Sequence, residues 1–378
     1  METLRVAWLL TSAFYYWQPV MYRFSKLFPQ TRVFTSRWHG FAPGLEETFD
    51  VECIGQRKVI ALRPSKTGYG HHFTYLPLRI VGRLLRFRPN VIFSNAFGVW
   101  TLLSVLCKPI GRWRVVIAYE GSSPSVDYRQ ATARTALRRF MVQAADACIT
   151  NSNAGRSYLI QVLKAKEHRV FHQPYEVPDP HYLSCAKPTN YTAPQSETVF
   201  VFVGSLIPRK GIELLLEACR ILRQCGYQHY TLLVVGEGPE RMRLEQFCQD
   251  HDLTQNVRWM GYIEYNDISL VLHQADVCIL PTLEDTWGMV VLEAMAAGKP
   301  IICSTWAGAC ELVIDGKNGY RIDPRQPDAI ASAMASFLNN PDLAAAMGRQ
   351  ARYIMSQYTP ETAAQFLSQV ISCVLKHA

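Results

Sequence analysis

Three stretches of this chain place polar residues where apolar runs end, and each could do chemistry. The first is Val199–Gly211, VFVFVGSLIPRKG, in which an apolar strand ends at Gly204 and a short loop carries Ser205, Arg209 and Lys210 to the start of a helix. A helix N-terminus presents free N–H groups and partial positive charge, so two cations beside it suit a diphosphate. On this segment alone a solvated basic loop reads equally well. The second is Leu232–Met242, LLVVGEGPERM, where Gly236 and Gly238 let the backbone turn after a strand. Arg241 stands where the dinucleotide fingerprint needs its third glycine, and a plain strand-to-helix turn explains the pair as well.

The third stretch, Cys278–Ser304, reads CILPTLEDTWGMVVLEAMAAGKPIICS. A buried strand ends at Pro281, Glu284 and Asp285 occupy the turn, and Trp287–Ala297 reads as a helix that is apolar on nearly all sides. Gly298 and Pro300 close it. Glu293 lies in its middle. A buried carboxylate is costly unless paired or hydrogen-bonded, which points to a ligand hydroxyl or backbone donors, with a structural partner as the alternative. Asp285 and Glu293 are eight positions apart, about 12 Å if the whole span is helical. That matches the separation of the two sugars of a nucleotide-sugar, whose vicinal hydroxyls an ionised carboxylate accepts. The N–H groups at the helix start, Trp287, Gly288, Met289 and Val290, would face the diphosphate. Asp285 alone also reads as an N-cap.

These stretches need a scaffold. The chain has 378 residues, 49% of them hydrophobic and 19% charged, enough for large cores and too apolar for a disordered chain. Short β-branched runs alternate with helical patterns throughout. Strands are expected at Leu4–Leu10, Arg32–Thr35, Val59–Leu62, Val91–Ser94, Val115–Ala118, Ala147–Thr150 and Val170–His172. A second series runs through Val199–Gly204, Leu232–Gly236, Val257–Met260, Val277–Leu280 and Ile301–Ser304. In Ile212–Leu222 the apolar residues Ile212, Leu215, Leu216, Cys219 and Leu222 make the stripe of an amphipathic helix. Near-continuous apolar strands separated by helices mean parallel sheets covered on both faces. The proline-rich Glu176–Glu197 segment reads as a linker. The fold expected is α/β, two doubly wound Rossmann-like domains facing each other across a cleft. The first spans 1–190 and the second 191–360, with 361–378 read as a C-terminal helix returning to the first domain.

In order and spacing, GSLIPRKG, VGEGP, DTWGMVVLEAMAAGKP and GACELVIDGKNG (Gly308–Gly319) resemble the motifs of the GT-B glycosyltransferases, specifically the retaining family 4. The resemblance is strong from Val199 to about Arg321; the first half shares only the alternating layout. It implies a metal-independent enzyme without a cofactor that moves a sugar from a UDP- or GDP-sugar to a hydroxyl of a glycan or lipid-linked acceptor in polysaccharide or glycolipid biosynthesis, with anomeric configuration retained. It implies that Lys210 holds the diphosphate, that Asp285 contacts the transferred sugar and Glu293 the ribose, and that Trp259–Tyr262 lies against the base. Ser205 replaces the family's arginine, a charge that Arg209 can supply, and Asp285 replaces a glutamate, a role that Glu284 can take. Where many relatives carry a histidine, Val115–Ser125 has Glu120, which would orient the donor, receive the acceptor proton or cap the next turn. The aromatic Thr11–Val20 stretch replaces a glycine pair and suits a sugar or lipid face, or core packing. Epimerisation or phosphorolysis on the same fold, and a non-catalytic nucleotide-sugar-binding subunit, are the alternatives.

Charge is unevenly spread. The chain carries 39 Lys+Arg and 31 Asp+Glu. Residues 1–190 hold 25 of the basic and 11 of the acidic residues, which leaves 14 and 20 for the rest. Arg79, Arg83 and Arg86 share one face of an expected helix, and Arg134–Arg139 forms a second basic cluster. A basic amphipathic helix suits peripheral contact with an anionic membrane, or is an ordinary covering helix. Nucleic acid is not expected, since no recognition motif appears. The 11 scattered cysteines read as buried thiols, which with the lack of a leader or spanning segment gives a cytoplasmic expectation.

Overall fold

The computed structural model describes residues 4–11, 15–42, 44–63, 69, 71–129, 132–179 and 197–376. It divides into two compact units. Unit 1 comprises Met1–Ser65, Gly70–Val177 and Tyr358–Ala378; unit 2 comprises Lys66–Tyr69 and Pro178–Gln357. The expected boundary near residue 190 and most of the expected linker lie outside the described residues.

Unit 1 is built on strands β1 (Arg5–Leu10), β2 (Gln30–Thr35), β3 (Asp50–Cys53), β6 (Val91–Asn95), β7 (Arg114–Tyr119), β8 (Ala147–Thr150) and β9 (Val170–His172), with a separate hairpin of β4 (Lys58–Arg63) and β5 (His71–Tyr75). The parallel sheet runs β3-β2-β1-β6-β7-β8-β9. The Val59–Leu62 strand is a correction: it pairs antiparallel with β5 outside that sheet. Its exposed Val59 and Ile60 cover no core, which is why its apolar run misleads. The central strands are buried on both faces, with Trp8 stacked on Phe93 at 4.3 Å between centroids. The Pro360–Lys376 helix belongs to this unit; Glu361 pairs with Arg23 at 2.6 Å and Phe366 stacks on Tyr175.

Unit 2 carries β10 (Thr198–Val203), β11 (Tyr230–Val235), β12 (Val257–Gly261), β13 (Val277–Leu280), β14 (Ile301–Ser304) and β15 (Gly319–Ile322), all parallel, in the order β12-β11-β10-β13-β14-β15. The Ile212–Gln224 helix buries Ile212, Leu215, Leu216, Cys219 and Leu222, the stripe read from the sequence. Sequence reading missed β3, β5 and β15, whose short, polar or glycine-containing runs carry little apolar signal. Strand order reverses between β10 and β13. The loops leaving those neighbours part to opposite sides, which opens a crevice at their carboxyl ends.

Candidate active site

The crevice between β10 and β13 gathers the residues with the strongest chemical pattern. After β10 the chain turns through Pro208–Lys210 and enters the Ile212–Gln224 helix at Gly211. Gly211 has φ +70°, and a side chain there would meet the Pro281 carbonyl oxygen at 2.0 Å. That close approach lets the two loops knit. The N–H of Leu283 donates to the Arg209 carbonyl at 2.8 Å, and the Arg209 guanidinium donates to the Glu284 carbonyl at 2.6 Å. Lys210 Nζ then lies 2.5 Å from Asp285 Oδ2.

Asp285 is buried and held in extended backbone. Its N–H donates to the Trp306 carbonyl at 3.1 Å, and its carbonyl accepts from Gly308 at 3.2 Å. Burial alone would push its carboxyl up. The Lys210 ammonium, by charge and hydrogen bond, with Arg209 and the Trp287 N–H, reverses this and holds it below its ordinary value. Tyr69, which groups with unit 2, completes the cluster. Its hydroxyl lies 3.4 Å from Asp285 Oδ1 and 3.3 Å from the Thr286 nitrogen, and its ring lies 4.0 Å from the Arg209 guanidinium carbon. Burial, then the Asp285 charge, pushes its phenol up to about 12. Sequence reading missed Tyr69 because nothing in its own segment signals distant carboxylate and guanidinium partners.

Gly288, at φ +97°, opens the helix, which spans Met289–Ala296 and not Trp287–Ala297. Asp285 therefore lies off the helix, in the extended run before it, and the 12 Å helical spacing to Glu293 does not apply. Gly288, as N-cap, has no side chain to cap that helix start, while the Trp287 N–H just before it donates to the Asp285 carboxylate. Trp287 is buried, while Met289 and Val290 are half-buried. Glu293 is buried in mid-helix, as its sequence context implies. Burial pushes its carboxyl up to about 7, against a hydrogen bond from Tyr265 that lowers it. The protein thus supplies Glu293 with a partner, and the reading with a structural partner has a named residue. Glu284 is buried and turns its backbone carbonyl toward Arg209 and Thr282.

Gly236 also has a structural reason. At φ +130°, a side chain there would meet the Gly204 carbonyl oxygen at 2.0 Å, so β10 and β11 loops close on each other. Ser205 is exposed beside them. Arg241 covers the Trp259 ring at 4.9 Å, and Tyr262 is exposed.

Glu120 belongs to unit 1, whereas the Asp285 cluster belongs to unit 2. It sits at the end of β7 and accepts from Asn95 Nδ2 at 2.9 Å. Trp17 is fully buried against Trp8 and Tyr175, so this part of the aromatic stretch is core packing; residues 12–14 lie outside the described ones. The two basic clusters differ. Arg83 and Arg86 are exposed on the Ile80–Phe87 helix, whose Ile80 and Leu84 are buried, and Arg79 is exposed at its N-cap. Arg138 is instead a buried structural residue, donating to the carbonyls of Val126 (2.9 Å) and Asp127 (3.1 Å) and to the Tyr158 hydroxyl (2.9 Å). Among the described residues no helix is long and apolar enough to cross a membrane.

Residues 186–353 match the family model Glycosyl transferases group 1. Glycogen synthase of Mycobacterium tuberculosis is 32% identical over 171 residues, 45% of this chain and 41% of that protein. The matched stretch thus spans less than half the length of this relative. The structure of HepE from Anabaena in complex with UDP superposes with a TM-score of 0.73 at 18% identity, covering 98% of this chain and 100% of that one. A glycosyltransferase from Rickettsia africae gives 0.75 at 14% identity over the whole of both chains. This chain therefore has the GT-B fold, and its residues 186–353 are similar to the glycosyl transferases group 1 family.

Proposed function

We propose that this chain is a retaining, metal-independent family 4 glycosyltransferase, moving a sugar from a UDP- or GDP-sugar to a hydroxyl of a glycan or lipid-linked acceptor. The observation that supports it most is the buried Asp285 carboxylate held by Lys210 at 2.5 Å, with Arg209 alongside, where strand order reverses and a helix opens at Gly288. Unit 2 takes the donor. Lys210, Arg209 and the N–H groups of Gly288, Met289 and Val290 hold the diphosphate, and Gly204, Ser205 and Gly236 let its oxygens approach the backbone. Asp285 contacts the transferred sugar, with Glu284 beside it, and Glu293 takes the ribose hydroxyls. As the bond from the sugar to the diphosphate breaks, charge gathers on the leaving oxygens, where fixed cations and dipoles lower the barrier. The acceptor hydroxyl attacks the same face and gives its proton to an oxygen of the departing diphosphate. Unit 1 recognises the acceptor, with Glu120 at its polar edge. The exposed arginines of the Ile80–Phe87 helix, with exposed Leu78 and Leu85, suit peripheral contact with an anionic membrane.

The HepE structure is in complex with UDP, which supports a nucleotide donor here, and the name of glycogen synthase gives a glycan, which supports a glycan acceptor. Calorimetric titration of the chain with UDP and with GDP tests the reading. One of them binds with micromolar affinity and Lys210→Ala weakens it at least tenfold. Binding of neither overturns the proposal.

A further inference from the structure

Tyr69 falls between β4 and β5 in the chain, yet it belongs to unit 2 and lies against the Asp285 cluster. Its hydroxyl is 3.4 Å from Asp285 Oδ1, and the Thr286 N–H donates to it at 3.3 Å. The Thr286 side chain adds a further hydrogen bond. The Tyr69 ring covers the Arg209 guanidinium at 4.0 Å. The other oxygen of the Asp285 carboxylate, Oδ2, is taken by Lys210 Nζ at 2.5 Å. Both oxygens are therefore engaged by the chain itself, one by a cation and one by a neutral phenol.

These two partners differ in strength. Lys210 brings opposite charge and a short bond, the strong kind. A hydroxyl well seated on a carboxylate comes within about 2.5–2.7 Å, and the Tyr69 hydroxyl stays well outside that range. Its bond from the Thr286 N–H is long as well. Burial and the Asp285 charge push the phenol up to about 12, so it is uncharged at neutral pH. Its polar end then has the chemistry of a sugar hydroxyl: it donates to a carboxylate and accepts from an N–H.

We propose that Tyr69 is a specificity-determining residue, whose hydroxyl occupies, at Asp285 Oδ1 and the Thr286 N–H, the place that a hydroxyl of the transferred sugar takes. This rests on the donor reading above, in which Asp285 contacts that sugar. Of the groups on Asp285 the phenol is the one that yields. Lys210 is held there by charge, and the Trp287 N–H belongs to the backbone of the same turn. A sugar with a hydroxyl at this point regains both bonds at better distance. A sugar without one gains nothing at Asp285 in return for the bonds that Tyr69 gives up. The bare nucleotide has no sugar to place there and leaves Tyr69 where it is.

Tyr69→Phe tests this, because it keeps the ring on Arg209 and vacates only the place of the hydroxyl. Calorimetric titrations of the full chain compare UDP with UDP-glucose and GDP with GDP-mannose, before and after the substitution. For the pair that the unmodified chain binds, the nucleotide-sugar is expected to bind Tyr69→Phe about fivefold more tightly, the worth of one net hydrogen bond, while the bare nucleotide stays within about twofold. A tyrosine with a structural role alone would shift both ligands alike or neither. An equal shift for both, or a nucleotide-sugar affinity that stays the same or falls, overturns the proposal and leaves the donor reading standing. Binding of none of the four by the unmodified chain sinks the donor reading, and the proposal with it.

Discussion

The two sheets end in carboxyl clusters of opposite character. In unit 2 the buried Asp285 is neutralised by Lys210 and Arg209 and held below its ordinary range. In unit 1 the buried Glu176 is bracketed by Asn151 and crowded by Glu120, and its carboxyl is driven up. Burial raises both carboxyls, so the neighbour decides which way each moves. The parallel strands that deliver these loops are alike in kind. What differs is a two-residue cationic insert, Arg209–Lys210, at the start of one helix, against asparagines at the strand ends of the other unit. A site charged with cations suits an anionic ligand.

Lys210→Ala should have the largest effect, because it makes the unit 2 cluster resemble that of unit 1. It leaves Asp285 buried beside Arg209 alone, and removing one partner of a buried pair costs about 3–5 kcal/mol. The sign of the pH dependence changes with it. In the unmodified chain the depressed Asp285 contributes stability that is present above its unfolded value and lost as pH falls through the folded one. With Lys210 gone, burial dominates and the carboxyl rises above 3.8, so stability is present in acid and lost as pH climbs. Denaturant titrations between pH 3 and pH 8 read this directly. A variant whose stability still rises with pH as the parent's does would show that Arg209 alone sets the Asp285 charge. Transfer should fall about 10²–10³-fold, as when one preorganised donor to a developing charge is lost.

The difference between the units also explains what could be read from the sequence. Strands β1, β6, β7 and β8, and β10, β11, β13 and β14, are buried on both faces, so their apolar runs stand out. Hairpin strand β4 has the same apolar look without the burial, and the pattern alone put it in the wrong sheet. Lys210, Asp285 and Glu293 were legible because a charge at a strand end or inside an oily helix is conspicuous within its own segment. The Tyr69, Tyr265 and Glu176 contacts were not, since each depends on a partner on another segment: Tyr69 meets Asp285 across 216 positions and Glu176 meets Asn151 across 25. The burial of Arg138 inside the Arg134–Arg139 cluster was hidden for the same reason, because its acceptors lie on other elements.

Glu293 gives the next largest effect, and it tests whether burial alone can make unit 2 behave like unit 1. Its carboxyl rises from 4.5 to about 7, with no cation among the causes. The folded chain then holds a proton that the unfolded chain has lost, so its stability contribution is complete below 4.5 and declines as pH rises through 7, by on the order of 3 kcal/mol. Glu293→Gln removes that decline, seen as a smaller loss of stability from pH 5 to pH 8 than in the parent. A ligand whose hydroxyls bond the ionised form should also drive the proton off. Nucleotide affinity then increases from pH 6 to pH 8, and calorimetry in buffers of differing ionisation enthalpy shows proton release near pH 7. Equal affinity at both pH values would mean that Glu293 serves Tyr265 and not the ligand.

Asn151→Ala should have the smallest effect and the most local one. It strips the N–H groups of Tyr175 and Glu176 of their acceptor and Glu176 Oε2 of a donor, all within a buried region. Replacement by a smaller apolar side chain leaves those groups to be satisfied by water or not at all, at a cost of about 2 kcal/mol. Because the lost donor lowers the Glu176 carboxyl, its removal strengthens the proton's hold there, and the infrared band of the protonated acid should persist to higher pH. Nucleotide binding, carried by the other unit, should stay within about twofold of the parent at equal temperature, a change worth less than 0.5 kcal/mol by the logarithmic relation between affinity and free energy. A large loss of nucleotide affinity in Asn151→Ala would mean that the effect of this amide is not local to unit 1, and the contrast between the two units would fall.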